Sequence, residues 1–297
     1  MKDQIINPEN IPSSEEMEEF LFDLNNTNFH KNIIQKALKI SKKISDVEAA
    51  YLLGSLSEGI GDIFSDIDFY LMYEDGGDYK KIQEAFFSKI DELGDIIHIF
   101  QSNAKKNSSI IYLKPFIKFE LVIEKVSKLS NEWRVQERGS LLYDKRGLGK
   151  EIIQKSKSFQ FNIEDHLDEI RNIALDLPSF CFLIAGYMIR GEYVTTIDFI
   201  AWIRRKLLRI SGFLLNIKDE GTRRAEERFP RELVNYYNKC RVKSNEDIWE
   251  CLKIFLRWYS EWLVPKFKKK NIIHANQELP IIESAIEKLR DSYSNKI

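Results

Sequence analysis

Cysteine is scarce in this chain. Cys181, Cys240 and Cys251 are spread over 297 residues, odd in number and without a CxxC pair. A disulfide framework and a cysteine-built zinc site are therefore excluded as organising devices, and a reducing compartment is the simplest expectation. Net charge is equally lacking. The 45 Lys and Arg against 46 Asp and Glu leave a formal −1, so no global basic field draws nucleic acid, and a polyanion would need a local patch. Long apolar runs are missing too. No apolar run is expected to reach the roughly 18 residues of a membrane span, and Met1-Lys2-Asp3-Gln4 leads into the acidic stretch Ser14 to Glu19 rather than an apolar leader segment. The expectation is a cytoplasmic protein with no membrane contact and no nucleic-acid partner. What the chain does have is core-forming material, 43% hydrophobic and 12% aromatic, which argues against disorder.

Two halves differ in pattern. Residues 14–25 and 30–45 read as helices; in the second, Ile33, Ile34, Ala37, Leu38, Ile40 and Ile44 recur at helical spacing. Ala49 to Leu53 is a short apolar run ending at Gly54-Ser55, the mark of a buried strand entering a turn. Asp66 to Tyr73 alternates, with Ile67, Phe69 and Leu71 on one side and Asp66, Asp68 and Tyr70 on the other. Strands are also expected at 96–100, 110–113 and 116–123, with a helix at 79–93 separating them from the strand at 66–73. After Leu141 to Asp144 strand signals stop. Residues 148–158, 163–190, 194–216, 231–240, 245–270 and 279–294 read as helices, punctuated by Pro178, Gly191, Gly221 and Pro265. The expected class is α+β: a mixed-sheet domain over residues 1–145, then a helical bundle over 146–297.

Chemistry concentrates between residues 53 and 69. A strand ends in Gly54-Ser55, a short turn follows, and the next strand opens Asp66-Ile67-Asp68. Alternation puts both aspartates on one side, where two carboxylates repel unless a cation lies between them or one is protonated. Hard oxygen donors suit magnesium shared with substrate phosphates. Gly54 permits close approach of backbone to a phosphate, and Ser55 can donate its hydroxyl there. A structural reading stands beside this one, because Ser55-x-x-Glu58 is also a capping-box pattern. A two-metal site needs a third carboxylate. Glu120, in Ile117-Lys118-Phe119-Glu120-Leu121-Val122-Ile123, is a charge set in an apolar strand and is the best candidate; its alternative is a glutamate facing solvent from an edge strand. Glu124 shares the strand face but lies near the strand end.

These residues resemble the signature of the DNA polymerase β-like nucleotidyltransferase superfamily: Gly-Ser, about ten residues, an acid-x-acid pair, and a third carboxylate on a later strand. The resemblance implies that Asp66 and Asp68 bind two magnesium ions, that Glu120 binds the catalytic one, and that Gly54 and Ser55 contact the triphosphate. Within the superfamily the segment is most similar to antibiotic nucleotidyltransferases, the lincosamide enzymes first and the kanamycin-type aminoglycoside enzymes next. Phe119 to Ile123 and Arg190-Gly191-Glu192-Tyr193 extend the likeness. Asp68 departs from it, standing where those enzymes tend to carry glutamate, and the N-terminal 40 residues have no counterpart. The implied reaction moves a nucleoside monophosphate from a nucleoside triphosphate, ATP in the first instance, to a hydroxyl of a small acceptor; a homodimer is also implied. Modification of tRNA or protein in a toxin–antitoxin or defence system is the alternative. An inactive nucleotide-binding module is a second, against which the intact acid triad counts.

The helical half speaks less clearly. Asp176, Glu169, Asp168 and Glu192 are candidates for a general base, with Asp176 preferred because it interrupts an apolar helix; its alternative is an exposed acid beside a helix break at Pro178. Arg205 and Arg209, one turn apart, either brace a triphosphate or belong to a salt-bridged face. Trp249, Phe255, Trp258, Tyr259 and Trp262 are either core or the lining of an acceptor pocket. His98 and His166 have no partner pattern and no assigned role.

Overall fold

The computed structural model describes residues 4–102, 107–129, 139–156 and 161–294. The chain divides into two compact units, Met1–Phe159 and Gln160–Ile297.

The first unit is built on a mixed sheet of seven strands: β1 (Gln4–Ile6), β2 (Ala49–Leu53), β3 (Ile67–Tyr73), β4 (Ile96–Gln101), β5 (Ser108–Leu113), β6 (Ile117–Lys125) and β7 (Ser140–Asp144), in spatial order β1-β4-β5-β6-β3-β2-β7. Among the described residues β3 and β6 are the one parallel pair; their neighbours run antiparallel. Period-two alternation explains the layering. Ile67, Phe69 and Leu71 of β3 and Ile117, Phe119, Leu121 and Ile123 of β6 all enter one core, with the apolar stripe of the helix Asn28–Ser41 and with Ile82 and Phe86 of the helix Tyr79–Phe87. Met72, Ala49, Tyr51 and Leu53 point the other way, to a smaller cluster with Leu129 and Ile152. Ile152 belongs to the helix Leu148–Ser156, which is tied to the sheet by the Tyr51 hydroxyl donating to Gly149 O at 2.9 Å. The last two residues of the helix expected at 148–158 lie outside the described residues. β1 is a strand the sequence does not announce, because three residues are too few to display alternation.

The second unit is helical throughout its main elements: Leu167–Ile189, Tyr193–Leu214, Arg231–Lys239, Asn245–Arg257, a π-helical turn Trp258–Leu263 running on into Val264–Lys269, and Leu279–Ser294. The five aromatics of 249–262 are buried in one core with Ile203, Leu207 and Phe213, so they are packing residues and do not line an acceptor pocket. The cysteines are free and buried.

Two sequence expectations need correction here. Pro178 does not break its helix, which runs unbroken through Leu167–Ile189. A proline inside a helix removes the hydrogen bond to the carbonyl four residues earlier. That carbonyl, Ala174 O, is instead satisfied by the Tyr259 hydroxyl and by the Ala275 N–H at 2.9 Å. The segment Ile163–Ile189 is also long and apolar enough to cross a membrane, with a mean hydropathy of 1.5 over its most apolar window. Asp176 interrupts the apolar run, which is why a search for uninterrupted stretches passes over it. About 44% of that window is buried inside the protein.

Candidate functional site

The site is assembled by the register of the β3–β6 pair. Asp68 lies opposite Glu120 and Ile67 opposite Phe119 on parallel strands. Since neighbouring strands lie about 4.8 Å apart, the two carboxylates stand side by side on the face away from the main core. One step of alternation earlier, Asp66 and Lys118 occupy the same face. Glu120 is therefore not on an edge: β6 runs between β5 and β3, and the solvent-edge reading falls.

Each charge has a defined partner. The Lys118 Nζ donates to Asp66 Oδ2 at 2.6 Å and stands 3.9 Å from Glu120 Oε2. The Ser108 hydroxyl of β5 donates to Glu120 Oε1 at 2.7 Å. Burial pulls the Lys118 pKa down, but the hydrogen bond and charge of Asp66, with Glu120 and Asp68 behind them, outweigh it and hold the ammonium above its ordinary value. Glu124, farther along β6, is engaged elsewhere, accepting from Asn107 Nδ2 and from Lys128 Nζ at 2.7 Å each.

Gly54 joins the turn to the acids. Leu53 pairs with Asp68 across β2 and β3, and Gly54 follows at φ +73°, a left-handed conformation that glycine adopts without steric cost. A β-carbon on Gly54 would lie 2.6 Å from Asp68 Oδ2. Backbone and carboxylate meet with no side chain between them, which gives a physical reason for a glycine just upstream of an Asp-x-Asp strand.

Ser55 lies in the single helical turn Gly54–Ser57, whose N-cap is Leu53, so the capping-box reading of Ser55 is not realised. Its hydroxyl donates to Ser65 Oγ at 2.8 Å; Ser65 Oγ also takes the Asp62 N–H at 3.0 Å and reaches Asp62 Oδ1 at 3.2 Å. His30, which sequence reasoning passed over, completes the knot: its Nε2 donates to Ser65 O at 3.0 Å. This fixes the peptide immediately before Asp66.

Burial holds the His30 pKa below its usual value, against the opposing pull of the Ser65 hydrogen bond and of Asp62 and Asp66. A depressed histidine contributes stability fully above its unfolded pKa of about 6.5. That contribution is lost as pH falls below it, because the unfolded chain takes up the proton first. Wild-type protein is therefore expected to lose unfolding free energy between pH 7.5 and 5.5 faster than a His30→Gln variant. One proton corresponds to at most about 1.4 kcal/mol per pH unit. Denaturant titrations across that range check this; parallel pH profiles would contradict it.

Among the described residues, no group of three His, Cys, Asp or Glu side chains is placed to hold a metal ion. Asp66 is turned to Lys118 and Glu120 is held by Ser108. Asp66, Asp68 and Glu120 are hard oxygen donors on one face, the kind a divalent cation takes, and the Lys118 ammonium stands beside two of them.

In the helical unit, Glu169 is bound by Lys206 at 2.6 Å and Arg209 at 3.2 Å, Asp168 pairs with Arg171, and Glu192 with Arg190. Among the described residues Asp176 alone of the four base candidates has no ion pair; it lines a cavity of about 460 Å³ with Glu169, Asn172, Trp202 and Lys206. Arg209 also reaches Asp219 at 3.3 Å, the salt-bridged alternative for that residue, and Arg205 donates to Ala201 O.

No protein-family model matches the chain, and no curated protein does. Solved structures do. An aminoglycoside 6-adenyltransferase from Bacillus subtilis is 12% identical over 88% of this chain and 97% of its own, with a TM-score of 0.39. A nucleotidyltransferase-like protein from Exiguobacterium sibiricum is 12% identical over 88% and 91%, with a TM-score of 0.41. A spectinomycin adenyltransferase from Enterococcus faecialis, determined with ATP and spectinomycin, is 14% identical over 88% and 98%, with a TM-score of 0.35. At these values they are similarities of outline, and the functional reading rests on the residues themselves.

Proposed function

We propose that the chain is a magnesium-dependent nucleotidyltransferase that moves a nucleoside monophosphate, AMP in the first instance, from a nucleoside triphosphate to a hydroxyl of a small molecule such as a lincosamide or aminoglycoside. One observation carries the reading: Asp68 and Glu120 are register partners on parallel strands, Asp66 shares their face, and the Gly54 backbone abuts the Asp68 carboxylate.

Asp66, Asp68 and Glu120 would hold the magnesium, which supplies charge neutralisation on the triphosphate and a lowered pKa for the acceptor hydroxyl. The chain's own residues set the stage for that. Gly54 leaves room for the Asp68 carboxylate directly against the main chain. The Ser55–Ser65–Asp62 knot and His30 hold the start of β3 rigid, and Ser108 orients Glu120. In the reaction a bond forms between the acceptor oxygen and the α-phosphorus. The bond from that phosphorus to the bridging oxygen breaks, pyrophosphate leaves with the electron pair, and the proton of the acceptor hydroxyl is released to water.

The test is a susceptibility panel of a host expressing the protein against lincosamides and aminoglycosides, with mass spectrometry of the recovered drugs. The expected result is resistance to at least one drug and a mass increase of one nucleoside monophosphate on it. Unmodified drugs across both classes would remove the antibiotic as acceptor.

A further inference from the structure

Lys118 sits on the acidic face without a part in the chemistry above. It lies two residues before Glu120, so alternation sends both side chains to the same side, and Asp66, the residue just before β3, faces it. Its ammonium is 2.6 Å from one carboxylate of the triad and 3.9 Å from a second. A positive charge in that place supplies part of what a bound cation would supply, and it opposes the approach of a further cation. Lysine suits such a role better than arginine, since its compact charge rides on a flexible four-carbon stem and does not lock into a bidentate fork.

We propose that Lys118 is a tethered counter-ion of the acid triad. It competes with free divalent metal for Asp66 and Glu120, so metal is held firmly only when it arrives with a triphosphate, whose negative charge offers the ammonium another partner. This rests on the reading of the triad as metal ligands. A merely structural Lys118–Asp66 tie predicts something else: its removal would change stability and leave metal affinity alone.

The experiment titrates Mn²⁺ into the full chain and reads free Mn²⁺ by its electron paramagnetic resonance signal, with and without a non-hydrolysable ATP analogue. Wild type is compared with Lys118→Met and Lys118→Arg, and circular dichroism checks folding. Without nucleotide, Lys118→Met is expected to bind Mn²⁺ at least about tenfold more tightly than wild type and to gain less from the analogue. Lys118→Arg, which keeps the charge, should bind free Mn²⁺ no more tightly than wild type. Should Lys118→Met fail to fold, Lys118→Gln carries the same expectation. Unchanged or weaker Mn²⁺ binding by the neutral variants, with wild type binding Mn²⁺ in the presence of the analogue, overturns the counter-ion role and leaves the metal site standing. Absence of Mn²⁺ binding in every protein, with or without nucleotide, overturns both.

Discussion

Asp68→Ala protein is expected to fold normally and to lose nucleotidyl transfer by roughly a thousandfold or more, about 4 kcal/mol of transition-state stabilisation. Asp68 is the acid that touches every part of the proposed centre: it is the register partner of Glu120, shares the face of Asp66, and meets the backbone at Gly54. Removing it takes away a ligand of the magnesium that would counter negative charge on the phosphates. It also relieves repulsion within a crowded acidic face, so the thermal midpoint should hold or rise while turnover collapses. Steady-state rates and melting curves on the same preparation check both halves. Near-normal turnover would sink the site assignment.

Gly54→Ala carries the second large effect, and Gly59→Ala is its control. Both glycines sit at φ +73°, so alanine costs each about 1–2 kcal/mol of backbone strain. They differ in what the new methyl meets. At Gly54 it would fall 2.6 Å from Asp68 Oδ2 and must push that carboxylate aside; at Gly59 nothing lies within 4 Å. The expected result is similar loss of stability in the two variants, with transfer falling about a hundredfold or more only in Gly54→Ala. Equal activity in the two would mean that the glycine serves the turn and not the acid.

The strands and helices were legible because period two and period 3.6 are local properties of the chain. Ala49 to Leu53 matches its strand residue for residue, and the Asp66–Asp68 side follows from alternation alone. Pairing was not legible. That Asp68 faces Glu120 depends on a parallel register between strands some fifty residues apart, which no short window encodes. Lys118 had a readable signal that went unused: Lys-x-Glu on β6 has the same spacing as Asp-x-Asp on β3, so the same alternation puts all four charges on one face. His30 had none, since a lone histidine on an otherwise apolar helix stripe reads as core. Pro178 misled because its cost depends on who satisfies Ala174 O, and the partners, Tyr259 and Ala275, come from eighty or more residues downstream. The helical unit stays the harder half for the same reason: three of its four base candidates are held in ion pairs, which spacing does not reveal.

The most direct measurement of the central claim uses ATP labelled at the α-phosphate or at the γ-phosphate, incubated with the protein, magnesium and an acceptor modified by it. Nucleotidyl transfer predicts α-label on the acceptor, γ-label released as pyrophosphate, and neither event with Asp68→Ala. Label reaching the acceptor from the γ-phosphate, or α-label transferred undiminished by Asp68→Ala, would contradict it.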